Sequence, residues 1–333
     1  MRGRTFFSQR LWVGVFIGVL GIIDGQRGKV AAQEQVRIRD HFYAAYLASA
    51  DEGWAVGSFG AIYHTKDGGK AWEKQESKVF EPLYGVRFVT PTEGWVSGKS
   101  GLILHTTDGG KTWEKQLSGT TNHLFNLAFL DNQRGIAVGD FGVILYTSDG
   151  GKTWNDVYKD KPEKKEDVFL YSVVMHGSGK AWIAGERGTL LLSEDHGATW
   201  TKQTTGTEAT LLGLSFKDGT FGCAVGMDGT ILQSEDAGKT WKAYESPVQT
   251  ALYNVALDGN TGLAVGDEGV ILTSSDAGKN WSLLDSPEEL SLYWIMGLSI
   301  TSGSSRGLLT GSNGLLLFAE GTKIDFASRF KRQ

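Results

Sequence analysis

The sequence contains very little cysteine and proline. Cys223 is the one cysteine among 333 residues, so no intramolecular disulfide can form and packing must stabilise the fold. Only five prolines occur, against 46 glycines and 11 tryptophans. Abundant glycine and aromatic residues with little proline indicate tight turns between short strands rather than helices.

A hydrophobic run long enough to span a membrane is also missing. Three arginines at positions 2, 4 and 10 precede an apolar run over 11–23, and Val30-Ala31-Ala32 is typical of a cleavage site. Thirteen residues are too few to cross a bilayer, which takes about 20. We interpret 1–32 as a secretory signal peptide and expect a secreted or periplasmic protein; an uncleaved N-terminal anchor is the alternative. No cysteine stands within the residues directly after the run, 24–32, so a lipoprotein anchor is not expected.

Basic residues are fewer than acidic residues once 1–32 are left out of the count. The remaining chain has 28 basic and 37 acidic residues, a net charge of −9. This balance argues against nucleic acid or an anionic membrane surface as the main partner. We therefore expect no nucleic-acid binding and no membrane insertion after cleavage.

An eight-residue box, TSDGGKTW at 147–154, is repeated along the chain. Its copies occupy 65–72, 106–113, 193–200, 234–241 and 274–281, and successive box aspartates are 41, 41, 46, 41 and 40 residues apart. A fixed period near 41 residues indicates a propeller or a solenoid.

Each repeat contains four predicted strands. The segment 83–117 shows the pattern as LYGVRFV, GWVSG, GLILHTT and WEKQL, separated by turns, and a glycine closes the second strand in seven units. The sequence therefore predicts an all-β fold, a seven-bladed β-propeller in one domain over 33–333, with a linear β-solenoid as the alternative. The predicted blades are about 42–82, 83–123, 124–169, 170–210, 211–251, 252–291 and 292–333. The last unit lacks a box, so either 34–40 or the C-terminal segment 323–330 is expected to complete it.

The box itself is predicted to be a structural joint. Its aspartate is placed to accept backbone N–H groups in a tight turn, its fifth residue, glycine, allows positive φ, and its tryptophan can pack against the neighbouring blade. A sixfold calcium site is the alternative, but each box offers one or two carboxylates and calcium takes six to eight oxygens. We expect no metal and no cofactor. The box residues are Asp67, Asp108, Asp149, Asp195, Asp236, Asp276, Trp72, Trp113, Trp154, Trp200, Trp241 and Trp281.

Two other sets of residues are also interpreted as structural. Cys223 stands where other blades have tryptophan, so it is predicted to be a buried strand residue rather than a nucleophile. Aromatic residues early in the first strands are interpreted as packing between blades, with a ring around the channel mouth as the alternative. They are Tyr43, Tyr84, Phe125, Tyr171, Tyr253 and Tyr293, with Leu212 in the fifth blade.

The two-residue turns between second and third strands differ from blade to blade. Varied loop tips on a repeated framework are where specificity is usually encoded, so we predict a binding face here; neutral variation of solvated tips is the alternative. Phe59 and Phe141 are the foremost candidates, because exposed aromatic residues often anchor interfaces. The other predicted binding residues in these turns are Glu186, Arg187, Asp228, Asp267, Glu268 and Asn313.

One connection between blades is longer than the rest. Eleven residues separate the box tryptophan from the next first-strand leucine in five junctions, including Trp281 to Leu292, whereas sixteen separate Trp154 from Leu170. The insertion lies within 158–168, which holds eight charges and one proline and should project into solvent. We predict that it contacts the partner through its lysines, with a solvated insertion as the alternative. These are Lys159, Lys161, Lys164 and Lys165.

The repeat resembles a known family. GWAVGSFGAIYHTKDGGKAW (53–72), GWVSGKSGLILHTTDGGKTW (94–113) and GIAVGDFGVILYTSDGGKTW (135–154) are similar to the Asp-box (BNR-type) repeats of the photosystem II stability and assembly factor family. The resemblance covers about 40–320. It implies a non-catalytic binding platform, in the lumen of phototrophs, that helps a membrane protein complex assemble. A protein partner and a monomeric protein are expected accordingly.

The chain departs from that family in its arginines. Cyanobacterial members carry an arginine-rich patch and a lipoprotein cysteine, whereas the eight arginines after residue 32 are scattered over several blades here. A relative in a non-photosynthetic bacterium, with a different scaffolding job and partner, is therefore an equally good interpretation. Sialidases share the boxes, so a sialidase-like or other glycoside hydrolase is the alternative function. VRIRD at 36–40 lacks the proline of the sialidase arginine motif, and we find no asymmetric cluster of acid, base and nucleophile.

Overall fold

Short strands joined by glycine-rich turns form seven antiparallel sheets in a computed structural model that describes residues 38–158 and 167–326. Each sheet has four strands in chain order, and each pairs only with its sequence neighbours. The predicted signal segment 1–32 and the predicted lysine contacts at 159, 161, 164 and 165 lie outside the described residues.

The strands are short and their lengths recur from blade to blade. Blades one to three contain β1 Phe42–Leu47, β2 Gly53–Gly57, β3 Ile62–Thr65, β4 Glu73–Gln75; β5 Leu83–Phe88, β6 Gly94–Gly98, β7 Ile103–Thr106, β8 Glu114–Gln116; β9 Leu124–Phe129, β10 Gly135–Gly139, β11 Ile144–Thr147 and β12 Asn155–Asp156. Blades four and five contain β13 Leu170–Met175, β14 Ala181–Gly185, β15 Leu190–Ser193, β16 Thr201–Lys202; β17 Leu211–Phe216, β18 Gly222–Gly226, β19 Ile231–Ser234 and β20 Lys242–Tyr244. Blades six and seven contain β21 Leu252–Asp258, β22 Thr261–Gly266, β23 Ile271–Ser274, β24 Ser282–Leu283; β25 Ile295–Ile300, β26 Arg306–Gly311, β27 Leu316–Glu320 and β28 Lys323–Ile324.

No α-helix occurs in the described part of the chain; its helical pieces are 3₁₀ turns of three to five residues. Six follow the second strands, at Ser58–Gly60, Lys99–Gly101, Asp140–Gly142, Met227–Gly229, Asp267–Gly269 and Ser312–Gly314, and one precedes β25 at Glu288–Leu292. The predicted all-β, seven-bladed propeller with four strands per blade is therefore confirmed.

The second strand of every blade is the most deeply buried. All five residues of β2, GWAVG, are buried, as are those of β6, β10, β14 and β18. A strand covered by neighbouring blades on both faces needs apolar or small residues throughout, not an alternating pattern. This explains the glycine, alanine, valine and tryptophan that recur in these segments.

The core lies between blades. Trp54 of blade one stacks on Phe88 of blade two with ring centroids 3.7 Å apart, and the box tryptophan Trp113 meets Phe88 edge-on at 6.0 Å. The same three-ring arrangement recurs one blade later with Trp95, Phe129 and Trp154. Each box tryptophan thus packs at the boundary with the preceding blade.

The fourth strand of blade seven comes from the C-terminal end of the chain. β28 pairs with β27 through Ala319 opposite Ile324 and Glu320 opposite Lys323. Of the segment 34–40, the structure describes 38–40, which form no strand; the Asp40 carbonyl instead accepts the Gly314 N–H at 2.8 Å. The ring closes where β1 packs beside β25 and β26.

Blade seven begins three residues later than the Leu-Tyr pattern predicts. Ile295, not Leu292, pairs with the closing glycine Gly311, and Leu292 is 80% exposed. The interval from Trp281 is therefore fourteen residues, so the interpretation of this junction as an eleven-residue one was wrong. The three additional residues are taken up by the 3₁₀ turn at 288–292, which buries Leu290 instead.

Candidate functional site at the channel mouth

The two faces of the propeller are built from different connections. The second-to-third turns and the connections between blades lie on one face, which we call the turn face. The Ser58 N–H, in such a turn, donates to the carbonyl of His41, just before the first strand, at 2.9 Å. The opposite face, which we call the box face, carries the boxes and the first-to-second loops. There the Gly150 N–H bonds the Gln133 carbonyl, also at 2.9 Å.

In the boxes the aspartate is fully engaged by its own turn. Oδ1 of Asp149 accepts the Thr147 hydroxyl and the Thr153 N–H, each at 2.9 Å, and Oδ2 accepts the Thr153 hydroxyl at 2.7 Å. The buried Thr147 hydroxyl also accepts the Gly151 N–H at 2.8 Å. Serine or threonine stands two residues before every box aspartate, a signal that the sequence interpretation missed.

These hydrogen bonds keep the box carboxylates ionised. Donation from the Thr112 hydroxyl is the main cause that lowers the pKa of Asp108 to about 2, and the Thr240 hydroxyl does the same for Asp236. The Thr153 N–H likewise lowers the pKa of Asp149. A carboxylate whose lone pairs are occupied in this way orders a turn and offers little to a substrate.

A glutamine links each of several boxes to the preceding blade. Nε2 of Gln116 on β8 donates to the Gly150 carbonyl at 2.9 Å, and its Oε1 accepts the Trp154 indole N–H at 3.3 Å. A Cβ on Gly151, whose φ is +82°, would stand 2.1 Å from that Oε1. The glycine at this position is thus required both by its backbone angle and by the glutamine.

A channel runs through the centre of the ring. Its volume is about 560 Å³, and the first strands of all seven blades line it. Every first strand has a β-bulge after its first residue, as where Leu83 pairs with Gly98 and Gly85 with Ser97, so Tyr84 is left without a partner. A bulge redirects a side chain, and here the bulged residue faces the channel. These residues are Tyr43, Tyr84, Phe125, Tyr171, Leu212, Tyr253 and Met296.

The structure therefore favours the alternative interpretation of the first-strand aromatics. They form a ring inside the channel, close to the turn face, rather than packing only between blades. Consecutive rings touch around it, with centroids 5.7 Å apart for Tyr43 and Tyr84, 5.8 Å for Tyr84 and Phe125, and 5.3 Å for Phe125 and Tyr171. In blade seven the bulged residue is Met296, not the predicted Tyr293, and Trp294 stacks on Tyr43 at 5.7 Å.

The other end of the channel carries one charge. Of the residues that line the described channel, only Arg87 is ionised, and its guanidinium lies 5.1 Å from the centre of the Tyr46 ring. Arg87 is three residues beyond Tyr84 on β5, which places it about 10 Å toward the box face. The channel is thus aromatic near the turn face and basic near the box face.

The predicted binding residues in the second-to-third turns all lie on the turn face. Their backbone is unusual, because the second residue of every turn has a left-handed conformation, including Phe59 at φ +54° and Phe141 at φ +52°. Bulky residues rarely adopt this region, whereas asparagine and aspartate do so readily. Arg187, Asp228, Glu268 and Asn313 occupy the same position in their blades.

The structure joins Phe141 to the channel ring but leaves Phe59 apart. Phe141 meets Phe169 edge-on at 5.5 Å, and Phe169 lies 6.0 Å from Phe125 and 6.4 Å from Tyr171. A chain of aromatic contacts therefore continues from the exposed Phe141 on the turn face, through the half-buried Phe169, into the channel. Phe59 pairs instead with Phe80 at 5.1 Å, and both of these rings are more than half exposed. Sequence reasoning missed Phe80 and Phe169, which come from connections between blades.

Three carboxylates lie beside tyrosines of the ring. Glu186 accepts the Phe169 N–H at 3.0 Å and the Tyr171 hydroxyl at 3.4 Å, and Asp267 accepts a hydrogen bond from Tyr253. Burial and the charge of Glu186 raise the pKa of Tyr171 to about 12. Burial raises the pKa of Tyr84, and the charge of Asp140, at the same turn position in blade three, adds to this effect.

Asp140 is the least satisfied of these groups. Its side chain is buried, with 6% of the residue exposed, and its Oδ2 lies 3.3 Å from Nδ1 of His123. Its Oδ1 has no hydrogen-bond partner in the described part of the chain, and burial raises the pKa of this carboxyl. A buried carboxylate oxygen without a donor is costly unless something binds it.

Other potentially reactive groups offer no second site. Cys223 is buried at the register position of Trp54 and Trp182, and burial raises the pKa of its thiol to about 12. Within 38–158 and 167–326, no three His, Cys, Asp or Glu side chains are arranged to hold a metal ion. The same residues include no helix long and apolar enough to cross a membrane.

Comparisons with known proteins agree with this architecture. The structure of YCF48 bound to D1 peptide has a TM-score of 0.70 and is 21% identical, covering 85% of this chain and 94% of that one. The structure of YCF48 from Cyanidioschyzon merolae also has a TM-score of 0.70 and 21% identity, covering 85% of this chain and 96% of that one. The GH74 xyloglucanase from Xanthomonas campestris gives 0.70 at 14% identity, covering 87% of this chain and 53% of that one. At these identities the likeness shows the fold alone.

No curated protein matches the sequence. The model of the family described as photosynthesis system II assembly factor YCF48 matches residues 27–120, 115–205 and 199–292, which together make up most of the chain. The repeats, the seven blades and this match lead to one conclusion: the chain belongs to the YCF48 photosystem II assembly factor family.

Proposed function

We propose that the protein is a non-catalytic binding protein outside the cytoplasm whose turn face and channel mouth hold a segment of a partner protein. In this role it helps to assemble or stabilise a membrane protein complex. One observation carries the proposal: aromatic side chains in contact continue from the exposed Phe141 through the half-buried Phe169 into the ring at the channel mouth.

The geometry of this surface suits a protein segment. Aromatic residues supply large, rigid contact area and are enriched where binding energy is concentrated. Phe141 is 48% exposed in a backbone conformation that disfavours bulky residues, so neither burial nor local geometry accounts for phenylalanine there. A relative with this fold, YCF48, has been solved with a D1 peptide bound, which supports a peptide segment as the occupant here.

The partner recognised by this chain need not be the one implied by an arginine-rich patch. Arg87 lies in the channel wall, whereas Arg134 and Arg306 are on the box face and are paired with acids. The absence of catalysis is part of the proposal. The box carboxylates are bound within their own turns, and the channel wall that the structure describes has no acidic side chain.

The proposal is tested by affinity capture from detergent-solubilised native membranes. The variant Phe141→Ala with Phe169→Ala should reduce recovery of the partner about tenfold or more, because two aromatic anchors are lost. The matched control, Phe59→Ala with Phe80→Ala, removes an exposed pair away from the channel and should have a smaller effect. Unchanged recovery with all four residues replaced would show that the turn face is not used. Turnover of a sialoside or of xyloglucan by the wild type would contradict the absence of catalysis.

A further inference from the structure

The turn face is predominantly acidic, and three of its acids lie where the aromatic ring opens. In the described residues, the second-to-third turns and the connections between blades contain thirteen Asp or Glu residues and three Lys or Arg residues. Three of the acids, Asp140, Glu186 and Asp267, occupy the first position of their turns and lie beside ring tyrosines. Lys99 has this position in blade two, but its side chain is exposed and its charge interacts with the carboxylate of Glu81 instead.

Aromatic faces and carboxylates attract the same kind of ligand. The face of an aromatic ring carries negative electrostatic potential and binds ammonium and guanidinium groups, most strongly where water is excluded. The rings of Tyr43, Tyr84, Phe125 and Tyr171 form a continuous wall, and carboxylates stand at its rim. An anionic group at this point would meet repulsion from both.

Asp140 supplies an independent indication of a ligand. Its buried Oδ1 lacks a donor among the described residues, although its other oxygen lies near His123. A cationic group at the mouth would donate to this oxygen and favour its ionised form.

Resting on the proposed function, we propose that the channel mouth binds a lysine or arginine side chain of the partner segment, held between the ring tyrosines and the carboxylates of Asp140, Glu186 and Asp267. The channel mouth thus recognises a basic segment of the partner. An arginine-rich patch would instead select an acidic segment. Cation–aromatic contact and charge pairing act together at this one point.

The test uses two fluorescein-labelled peptides of twelve residues, one in which lysine alternates with alanine and one in which glutamate replaces lysine. Fluorescence anisotropy should show that the full protein binds the lysine peptide, with affinity that falls as salt is raised, and does not bind the glutamate peptide. Glu186→Gln combined with Asp267→Asn should weaken binding of the lysine peptide at least tenfold. The amides still accept hydrogen bonds from Tyr171 and Tyr253, so the fold should be retained, and melting temperatures check this.

The matched control, Asp285→Asn with Glu288→Gln, removes two exposed carboxylates of the same face and changes the net charge equally. It should weaken binding less than threefold. Equal losses in the two double variants, or equal binding of the two peptides, would overturn the inference. Tyr84→Leu should weaken binding and Tyr84→Phe should not, since phenylalanine keeps the aromatic face.

Failure of this inference can be distinguished from failure of the proposed function. If native membranes yield the same partner with wild type and with the Glu186→Gln, Asp267→Asn variant, the cationic contact is wrong and the binding function stands. If the wild type recovers no partner although the lysine peptide binds at the mouth, the proposed assembly function is wrong.

Discussion

At the scale of single residues, the box aspartate orders its turn by accepting several hydrogen bonds. Asp149 joins β11 to the start of β12 through Thr147 on one side and Thr153 on the other. Between these two threonines the backbone turns through Gly150 and Gly151, both in the left-handed conformation. The same carboxylate contacts recur around the ring.

Replacing Asp149 with alanine should cost about 1–3 kcal/mol in the free energy of unfolding at pH 7, because three hydrogen bonds are lost. Denaturant titration measures this. Asp149→Asn keeps an acceptor for the Thr153 N–H and should cost less. The folded pKa of Asp149 is lowered, so its contribution is complete above the unfolded value of about 3.9 and is lost as pH falls below it. The difference between wild type and variant should therefore shrink at pH 3.

Partner capture separates a structural role of the box from a functional one. Folded Asp149→Ala protein should recover its partner as the wild type does, because the boxes lie on the face opposite the proposed site. A variant that folds normally and captures no partner would show that the box takes part in function.

At the scale of strands, β3 and β7 each stack a histidine on a core tryptophan; His64 is buried and His105 is partly buried. His64 stacks on Trp54 with centroids 4.2 Å apart and lies 3.1 Å from Glu52, and His105 stacks on Trp95 at 4.7 Å. Burial lowers the pKa of both imidazoles more than the neighbouring carboxylates raise it. Blade four has Leu192 at this register, so the position does not require a titratable group.

The two histidines should make stability depend on pH. Because their folded pKa values lie below the unfolded value of about 6.5, the stability they allow is present above that pH and is lost as pH falls below it. The melting temperature of the wild type should therefore decrease from pH 7 to pH 5. This decrease should be smaller in the variant His64→Gln with His105→Gln. His176→Gln, which removes an imidazole bonded to Ser178, should keep the decrease of the wild type. If the double variant keeps it as well, other groups are responsible.

The strands were predictable and the channel ring was not, for a physical reason. Six boxes and seven closing glycines count the blades directly, so the fold follows from the period. The direction of Tyr84 depends on a bulge, and a bulge is a property of pairing between strands rather than of one strand. In blade seven, Leu292-Tyr293 copies the local pattern of other blades, yet the pairing begins at Ile295. Phe141 could be proposed from its turn, but its contact with Phe169 could not.

At the scale of the whole molecule, the longest predicted insertion separates blades three and four. Two residues at its described ends do not project into solvent as predicted, since Tyr158 and Val168 are buried in the core between these blades, whereas Asp167 is exposed. The charged stretch between them lies outside the described residues and its role stays a prediction. The buried ends indicate where a deletion can be made without disturbing the core.

Deleting 161–165 restores eleven residues between Trp154 and Leu170 and retains both buried ends. The melting temperature should change little, because the cost of closing a loop varies slowly with its length. If the insertion contacts the partner, membrane capture should decrease, and high salt should reduce capture by the wild type in a similar way. Full capture by the shortened protein would assign the insertion no part in binding.

Each blade is made from one uninterrupted stretch of chain, including blade seven, whose strands β25 to β28 run from 295 to 324. The seam between blades seven and one is an interface of side chains and a few hydrogen bonds, not a shared sheet. It is therefore of the same kind as the other six boundaries. Cutting the coding sequence at any blade boundary and joining the old ends would leave every sheet whole. Circular permutation at a blade boundary is thus open to this protein in evolution and in the laboratory.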